Sequence, residues 1–307
     1  NMKIVFISGV KFGFEILEHI INHDFNISLV FSYSDSKKKN YSDSASFDVL
    51  CKERGIKNIK VDNINDPENI EIIKSLNPDI ILVMGWSQLL KNEIIKLPKL
   101  GVIGSHPTEL PKFRGRAPIP WTIIKNLKES ALTFFYIEEG VDDGDILDQE
   151  KFKIHALDDA NSLYQRITEI GKNMIIKDLT QIQQGTSQRI RQDPKSFIEN
   201  WPKRTPDDGK INWKNSGKII HALIRATTHP YPGAFTFYNG KKLKIFNAEL
   251  LNNNISEPGK ILQIKNNGVE IGTGDGTIIL KSVQIEQNSE TNSVNIFTKN
   301  NIGNFLK

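Results

Sequence analysis

The sequence predicts an α/β protein: a Rossmann-like, mostly parallel sheet domain followed by a smaller β-rich domain of the OB-barrel kind. Three observations carry that expectation. Continuous apolar runs recur through the first half, as at 2–9 and 79–84, and unbroken runs of this length mark strands buried on both faces. Helical stretches alternate with them, as the crossovers of a parallel sheet require. Past a proline- and charge-rich stretch at 193–209, the pattern changes to short strands separated by Asn-Gly and Asp-Gly turns. Domains are therefore expected at 1–199 and 200–307.

The first strand ends at Gly9, and Val10-Lys11-Phe12-Gly13 leads into a helix over 14–23. Amides at such a helix start form a natural anion site. That makes the turn of Gly9, Lys11, Phe12 and Gly13 a candidate anion site, although turn chemistry accounts for the glycines equally well. There is no GxGxxG, so a dinucleotide cofactor is not indicated. After a strand at 27–32, residues 33–46 are polar and low in complexity and read as a mobile surface loop with a solvated lysine run. A helix at 47–54 and a brief strand at 59–61 follow. Asp66-Pro67 opens a helix that Asn77-Pro78 stops.

After the strand at 79–84, residues 87–97 read as a helix, and a strand at 101–105 delivers His106 to a loop. Pro107 and Pro111 bar that loop from continuing as strand or helix. A helix over 119–126, a strand at 132–138 and an edge strand at 152–154 come next. The long helix from Asp158 or Asp159 to Gln184 sets Leu163, Ile167, Ile170, Met174, Ile175 and Leu179 on one face. Gly185 ends it. The second domain has one helix at 216–226 and turns at Asn239-Gly240, Asn267-Gly268 and Asp275-Gly276. Its Gly272–Gly276 cluster lies between strands and reads as a hairpin, not a phosphate loop.

Composition sets bounds. A hydrophobic share of 38% and a charged share of 25% belong to an ordinary soluble protein. A net charge of +4 fits an anionic small substrate and does not call for nucleic acid. The lone Cys51 excludes an intramolecular disulfide and fits a reducing cytoplasm. The six histidines are scattered, so no metal site is expected. No run approaches the roughly 18 apolar residues of a membrane span.

Two stretches carry chemistry. Residues 101–121 place His106 at a strand end, where ligand sites of open α/β sheets gather. Residues 132–147 run from a strand into a turn where Asp142, Asp143 and Asp145 crowd Gly144. Taken singly, each has a bland reading, a strand-end histidine and an acidic turn. Together, HP-x-x-LPK-x-RG-x-AP followed by D-x-GD, with Asp142 lying 36 residues after His106, resembles the 10-formyltetrahydrofolate-dependent formyltransferase family. GKINW and IRAxxxPYPGA in the second half extend the resemblance over nearly the whole chain.

Formyl transfer to an amine needs a neutral amine, donors for the oxyanion, and a group that moves the proton. The resemblance implies that His106 moves the proton and that Asp142 orients it and favours the imidazolium. It implies 10-formyltetrahydrofolate as formyl donor, held by Met84, Gly85, Trp86, Leu89 and Leu90 with Glu138 and Val141. The chain departs from the family at one position. The usual Asn-x-His is here Gly104-Ser105-His106, so the carboxamide donor is missing. A backbone amide or the Ser105 hydroxyl could replace it, residue 104 could have been altered, or the chain could be a non-catalytic binder of folate and nucleotide sugar. The first is favoured because the other motifs are intact.

For the acceptor, the second domain argues against glycinamide ribonucleotide transformylase. Region 34–46 lacks the clear basic stripe expected of a tRNA binder. Residues 204–209 resemble the sugar-nucleotide enzymes. A UDP- or dTDP-linked 4-amino sugar, for surface polysaccharide synthesis, is therefore the expected acceptor, with methionyl-tRNA as the alternative. Nucleic acid and membrane are not expected partners, and a homodimer is left open. The resemblance implies that Gly9, Lys11, Phe12 and Gly13 contact the substrate, with Lys11 on a phosphate. Arg114, Gly115, Arg116, Ala117, Pro118 and Arg204 are the further substrate contacts it implies, with the arginines on pyrophosphate or bracing loops.

Overall fold

The computed structural model describes residues 1–251 and 255–307. The chain divides into two compact units, Asn1–Pro118 with Glu129–Lys153 and Tyr164–Pro202, and Ile119–Lys128 with Ile154–Leu163 and Lys203–Lys307.

The first unit is built on a seven-stranded sheet. The elements along the chain up to residue 201 are β1 (Ile4–Ile7), α1 (Lys11–Asn22), β2 (Ile27–Tyr33), α2 (Asp35–Lys38), α3 (Asp48–Glu53), β3 (Asn58–Val61), α4 (Pro67–Leu76), β4 (Ile80–Val83), α5 (Asn92–Ile95), β5 (Val102–His106), β6 (Phe113–Gly115), α6 (Pro118–Ile124), β7 (Glu129–Tyr136), β8 (Ile146–Lys153), α7 (Ala160–Gln184) and β9 (Glu199–Trp201); residues 119–124 of α6 and 160–163 of α7 count with the second unit. The sheet order is β3-β2-β1-β4-β5-β7-β8. The first five strands are parallel, and β7 and β8 add antiparallel at one edge. Every residue of β1 and β4 is buried, because helices cover both faces of a parallel sheet. Val5, Ile7, Leu29, Phe31, Ile81 and Val83 anchor one of its cores.

Three expectations change here. Residues 33–46 are not a free loop. They carry α2, Ala45 donates to the Gly9 carbonyl, and the Asp43 carbonyl accepts from Lys11. Tyr41 stacks on Tyr33 at 4.7 Å. Only Asn92–Ile95 of the expected helix 87–97 is helical. Ser87 is instead held by Tyr33, and the Gln88 side chain takes up the Ile64 amide and the Asp62 carbonyl. Those bonds compete with an intrahelical ladder. The edge strand expected at 152–154 is the end of the eight-residue β8, paired with β7 from Glu129 onward.

The second unit is β-rich, as its turn spacing predicts. It holds α8 (Gly217–Thr227), β10 (Ala234–Tyr238), β11 (Lys241–Ile245), β12 (Ala248–Leu251), β13 (Ile261–Lys265), β14 (Gly268–Gly272), β15 (Thr277–Leu280), β16 (Ser282–Ile285) and β17 (Thr291–Asn292). The strands form two four-stranded sheets, β10-β11-β16-β17 and β12-β15-β14-β13. They share a core of Trp213, Ile220, Ile224, Leu243, Ile271 and Ile278. Asn239 and Gly240, at φ 48° and 74°, make the tight turn between β10 and β11. The 272–276 cluster joins β14 to β15, and its Asp275 accepts from the Gly217 amide at the start of α8.

A break at 199/200 falls inside β9, while 119–128 and 154–163 count with the second unit. Among the described residues no helix is long and apolar enough to cross a membrane.

Candidate active site

Strand β5 delivers His106 as its last residue, at the carboxyl end of the sheet, and buries it. The chain then folds back. Thr108 Oγ1 and His106 Nε2 both donate to the Phe113 carbonyl, at 2.6 and 3.0 Å. Thr133 of β7 donates to the Thr108 carbonyl, and Gln149 of β8 to that of Leu110, so the loop is pinned to the antiparallel edge. A carbonyl only accepts, so Nε2 carries the hydrogen. Nδ1 is left to face Asp142 Oδ2 at 3.7 Å. Burial pushes the His106 pKa below its ordinary value, while the Asp142 carboxylate and the Phe113 carbonyl pull upward. The imidazole is thus neutral at rest yet flanked by acceptors that suit an added proton.

Asp142 has left-handed backbone, φ 53°, a conformation that aspartate adopts more readily than most non-glycine residues. Its Oδ2 accepts from the Gly115 amide at 3.0 Å. Gly115 lies at φ 102°, and a Cβ there would stand 2.3 Å from the Trp201 carbonyl, so the close β6–β9 pairing requires glycine. The Arg116 amide donates to the same carbonyl, and Phe113 stacks on Trp201. The His106 loop, the β6 turn and the Asp142 loop therefore meet at one point.

The remaining residues sort by what they touch. Arg114 is partly engaged: Nη2 donates to Gln192 Oε1 at 3.0 Å and the guanidinium lies over Phe197, while its buried Nε has no hydrogen-bond partner. Arg116 is exposed and Ala117 takes φ 48° just before Pro118 opens α6. Arg204, in the second unit, donates to the Asp208 carbonyl and lies over Trp121, so it braces a loop. A Cβ on Gly9 would meet the Tyr33 ring at 1.9 Å, and one on Gly13 the Ser8 Oγ at 1.8 Å. These glycines serve close packing. At the start of α1, the Lys11 amide is taken by Asp43 and the Phe12 amide by Tyr164. Those two amides are not available to an anion, and the exposed Lys11 side chain is what faces solvent.

On the loop after β4, Met84 and Leu90 are buried core, while Leu89 is exposed. Trp86 stacks on Tyr33 at 4.3 Å, and its Nε1 is buried without a hydrogen-bond partner. The Gly85 carbonyl accepts from the Gly9 amide. Glu138 pairs with Arg189, and Val141 is exposed.

The Gly104 gap is filled from β7 and the residue after it: a Cβ there would meet Ile137 Cδ1 at 2.9 Å and Phe135 Cζ at 3.3 Å. Ser105 does not substitute for the missing carboxamide. Successive strand side chains leave opposite faces, so Ser105 points away from the face that carries Gly104 and His106.

Sequence reasoning missed Gln192 and Arg189. Gln192 Nε2 donates to the carbonyls of Asp142 and Gly144, both at 2.7 Å. Arg189 pairs with Asp145 and Glu138. Both sit in irregular chain after α7, where no periodicity marks them.

Comparison with known proteins shows the family. The formyl transferase family model matches residues 2–179, and the formyl transferase C-terminal domain matches 203–301. The chain is 34% identical over 289 residues to a methionyl-tRNA formyltransferase of Clostridium tetani, covering 92% of each. It is 32% identical over 288 residues to one of Alkaliphilus metalliredigens, covering 92% of this chain and 90% of the relative. A solved N-formyltransferase of Helicobacter canadensis, in complex with folinic acid and dTDP-3-aminofucose, has a TM-score of 0.69 at 23% identity, covering 91% of this chain and 99% of that one. At that identity the likeness is one of fold. The expectation of a nucleotide-linked amino sugar, with nucleic acid an unlikely partner and methionyl-tRNA the alternative acceptor, is thereby corrected in favour of the alternative. Relatives above 30% identity, matched over nine-tenths of their length, carry the methionyl-tRNA name, and the weak basic character of 34–46 was too thin a ground for ranking tRNA second.

Proposed function

The chain belongs to the formyl transferase family, and on that premise we propose that it transfers a formyl group from 10-formyltetrahydrofolate to the amine of methionyl-tRNA. The observation that carries the acceptor is end-to-end likeness, through both family domains, to relatives bearing that activity in their names.

The residues fit a folate. Trp86, on the loop after β4, has a buried indole N–H with no partner, and Leu89 and Val141 expose apolar surface. A pterin needs that combination of apolar wall and sparse polar groups. The folate, when bound, supplies the formyl carbon.

The chain's own contribution centres on His106. With Nε2–H committed to the Phe113 carbonyl, Nδ1 is the atom that takes a proton from the amine as it bonds to the formyl carbon and returns it to the folate nitrogen as the bond from that nitrogen to the formyl carbon breaks. Asp142 Oδ2, held by the Gly115 amide, stabilises the resulting imidazolium and keeps the ring in place. Burial keeps His106 neutral beforehand, so it is ready to accept. Lys11, exposed at the start of α1, is a candidate contact for an acceptor phosphate. A reducing cytoplasmic setting fits the lone buried Cys51.

The test is formyl transfer from 10-formyltetrahydrofolate to methionyl-tRNA, with uncharged tRNA and a UDP-linked amino sugar as comparators. Formylated methionyl-tRNA as the sole product supports the reading. Turnover only on the sugar, or none with charged tRNA, overturns it.

A further inference from the structure

We propose that Gln192 is a positioning residue of this site, setting the Asp142 carboxylate against His106 by clamping the main chain of the Asp142 turn to Arg114. The inference rests on the formyl-transfer reading of the site. Gln192 is buried, and its single carboxamide makes three hydrogen bonds. Nε2 reaches the Asp142 and Gly144 carbonyls at 2.7 Å each, and Oε1 takes Arg114 Nη2 at 3.0 Å. The two carbonyls belong to the turn in which Asp142 holds its left-handed φ of 53°. The guanidinium belongs to the residue before Gly115, whose amide grips the Asp142 carboxylate. One side chain thus ties the peptide of Asp142 to the strand that holds its carboxylate.

Gln192 is itself fixed. Ile190 exchanges two main-chain hydrogen bonds with Ile146 at the start of β8, at 2.6 and 2.8 Å. Arg189 pairs with Asp145 and Glu138 and lies over the Tyr136 ring. Residues 189–192 therefore form a clasp along the whole 136–146 turn. Without the amide donors, two carbonyls lose partners and the left-handed turn loses the bonds that hold it. The carboxylate, already 3.7 Å from Nδ1, then drifts from the charged group it serves.

The experiment uses Gln192→Met, close in length but apolar, and Gln192→Glu, which keeps the acceptor for Arg114 and loses the donors. The first readout needs no substrate: the His106 imidazole is titrated by NMR in wild type, both variants and Asp142→Asn. Asp142 is the charged group that faces His106 and raises its pKa. The His106 midpoint is expected to fall in Gln192→Met, in the direction that Asp142→Asn moves it. An unchanged or raised midpoint, with Asp142→Asn shifted, overturns the proposal. The second readout is turnover. Gln192→Met is expected to lower kcat about tenfold or more, with KM for the folate within about twofold, and to add nothing in an Asp142→Asn background. Additive losses, or wild-type kcat, overturn it. Gln192→Glu is expected to behave like Gln192→Met, and full activity in it shows that donation to the carbonyls is not the point. If the wild type fails on methionyl-tRNA, the acceptor reading falls while the titration still decides the clamp. Should Gln192→Met not fold, Gln192→Asn, too short to span both carbonyls, takes its place.

Discussion

The Nδ1 of His106 and the Oδ2 of Asp142 stand 3.7 Å apart, although one ends a strand of the central sheet and the other sits at a left-handed φ in the turn that joins β7 to β8. Burial lowers the His106 pKa and Asp142 raises it, with burial the larger effect. The neutral imidazole is the form that takes a proton, so the acid limb of kcat against pH is expected below the ordinary histidine value of about 6.5. Asp142→Asn moves that limb lower still and depresses the plateau. His106→Asn is expected to cost roughly 10²–10⁴ in kcat. A limb above the ordinary value contradicts the assignment. The stability sign follows: a folded pKa below the unfolded one means that His106 favours the fold at neutral pH, and that this is lost as pH falls through the folded value.

Tyr164 gives a second prediction. Its hydroxyl donates to Asp43 and accepts from the Phe12 amide, both at 2.9 Å. It thereby ties the 33–46 segment to the start of α1. Burial raises the Asp43 pKa, and the Tyr164 hydrogen bond acts against that. Tyr164→Phe leaves a buried amide and a carboxyl short of partners, and is expected to cost about 1–3 kcal/mol in urea unfolding. No loss of stability removes the hydroxyl from this role.

The order of strands and helices was legible because buried parallel strands are continuous apolar runs, and because Asp66-Pro67 and Asn239-Gly240 have few conformational options. His106 and Asp142 were legible as a pair through motif order. What escaped were bonds made by side chains in irregular chain. Nothing local in 33–46 announces that Tyr41 stacks on Tyr33, or that Asp43 reaches Tyr164. Leu90 and Arg114 carry the right chemistry for a ligand, yet one is spent on core and the other partly on Gln192. Ser105 was excluded by strand alternation, which applies only once the strand's reach to His106 is known.

Gly104 and Ile137 form a size-matched pair, which makes the third prediction. A Cβ at 104 would stand 2.9 Å from Ile137 Cδ1 and 3.0 Å from its Cγ1. Gly104→Asn is expected to destabilise by about 1–3 kcal/mol through overpacking. Ile137→Ala removes both facing atoms, so the double variant is expected to be more stable than the summed single effects predict. Urea unfolding of the four proteins closes the cycle, and strict additivity refutes the pairing. Formyl transfer by the double variant then shows what a carboxamide adds at this position.

The last prediction concerns two carboxyls outside the site. Asp178 on α7 is buried beside Asp148 of β8, and burial together with that neighbouring carboxylate pushes its pKa up to about 8. Lys177 Nζ lies 2.6 Å from Asp148 Oδ2, so the cation serves Asp148 and leaves Asp178 to hold a proton. A folded pKa raised above the unfolded 3.8 means that this group's stabilisation is complete below the unfolded value. It declines as pH rises and is gone once pH passes the folded value. At pH 5 Asp178 is protonated, and Asp178→Asn replaces one neutral hydrogen-bonding group by another of nearly the same shape, so little change is expected. At pH 9 the wild type must hold a second negative charge against Asp148, while Asn does not. The variant should then be the more stable by about 1–3 kcal/mol. Urea denaturation at the two pH values measures the difference, and an advantage of equal size at both would show that Asp178 does not titrate in this range.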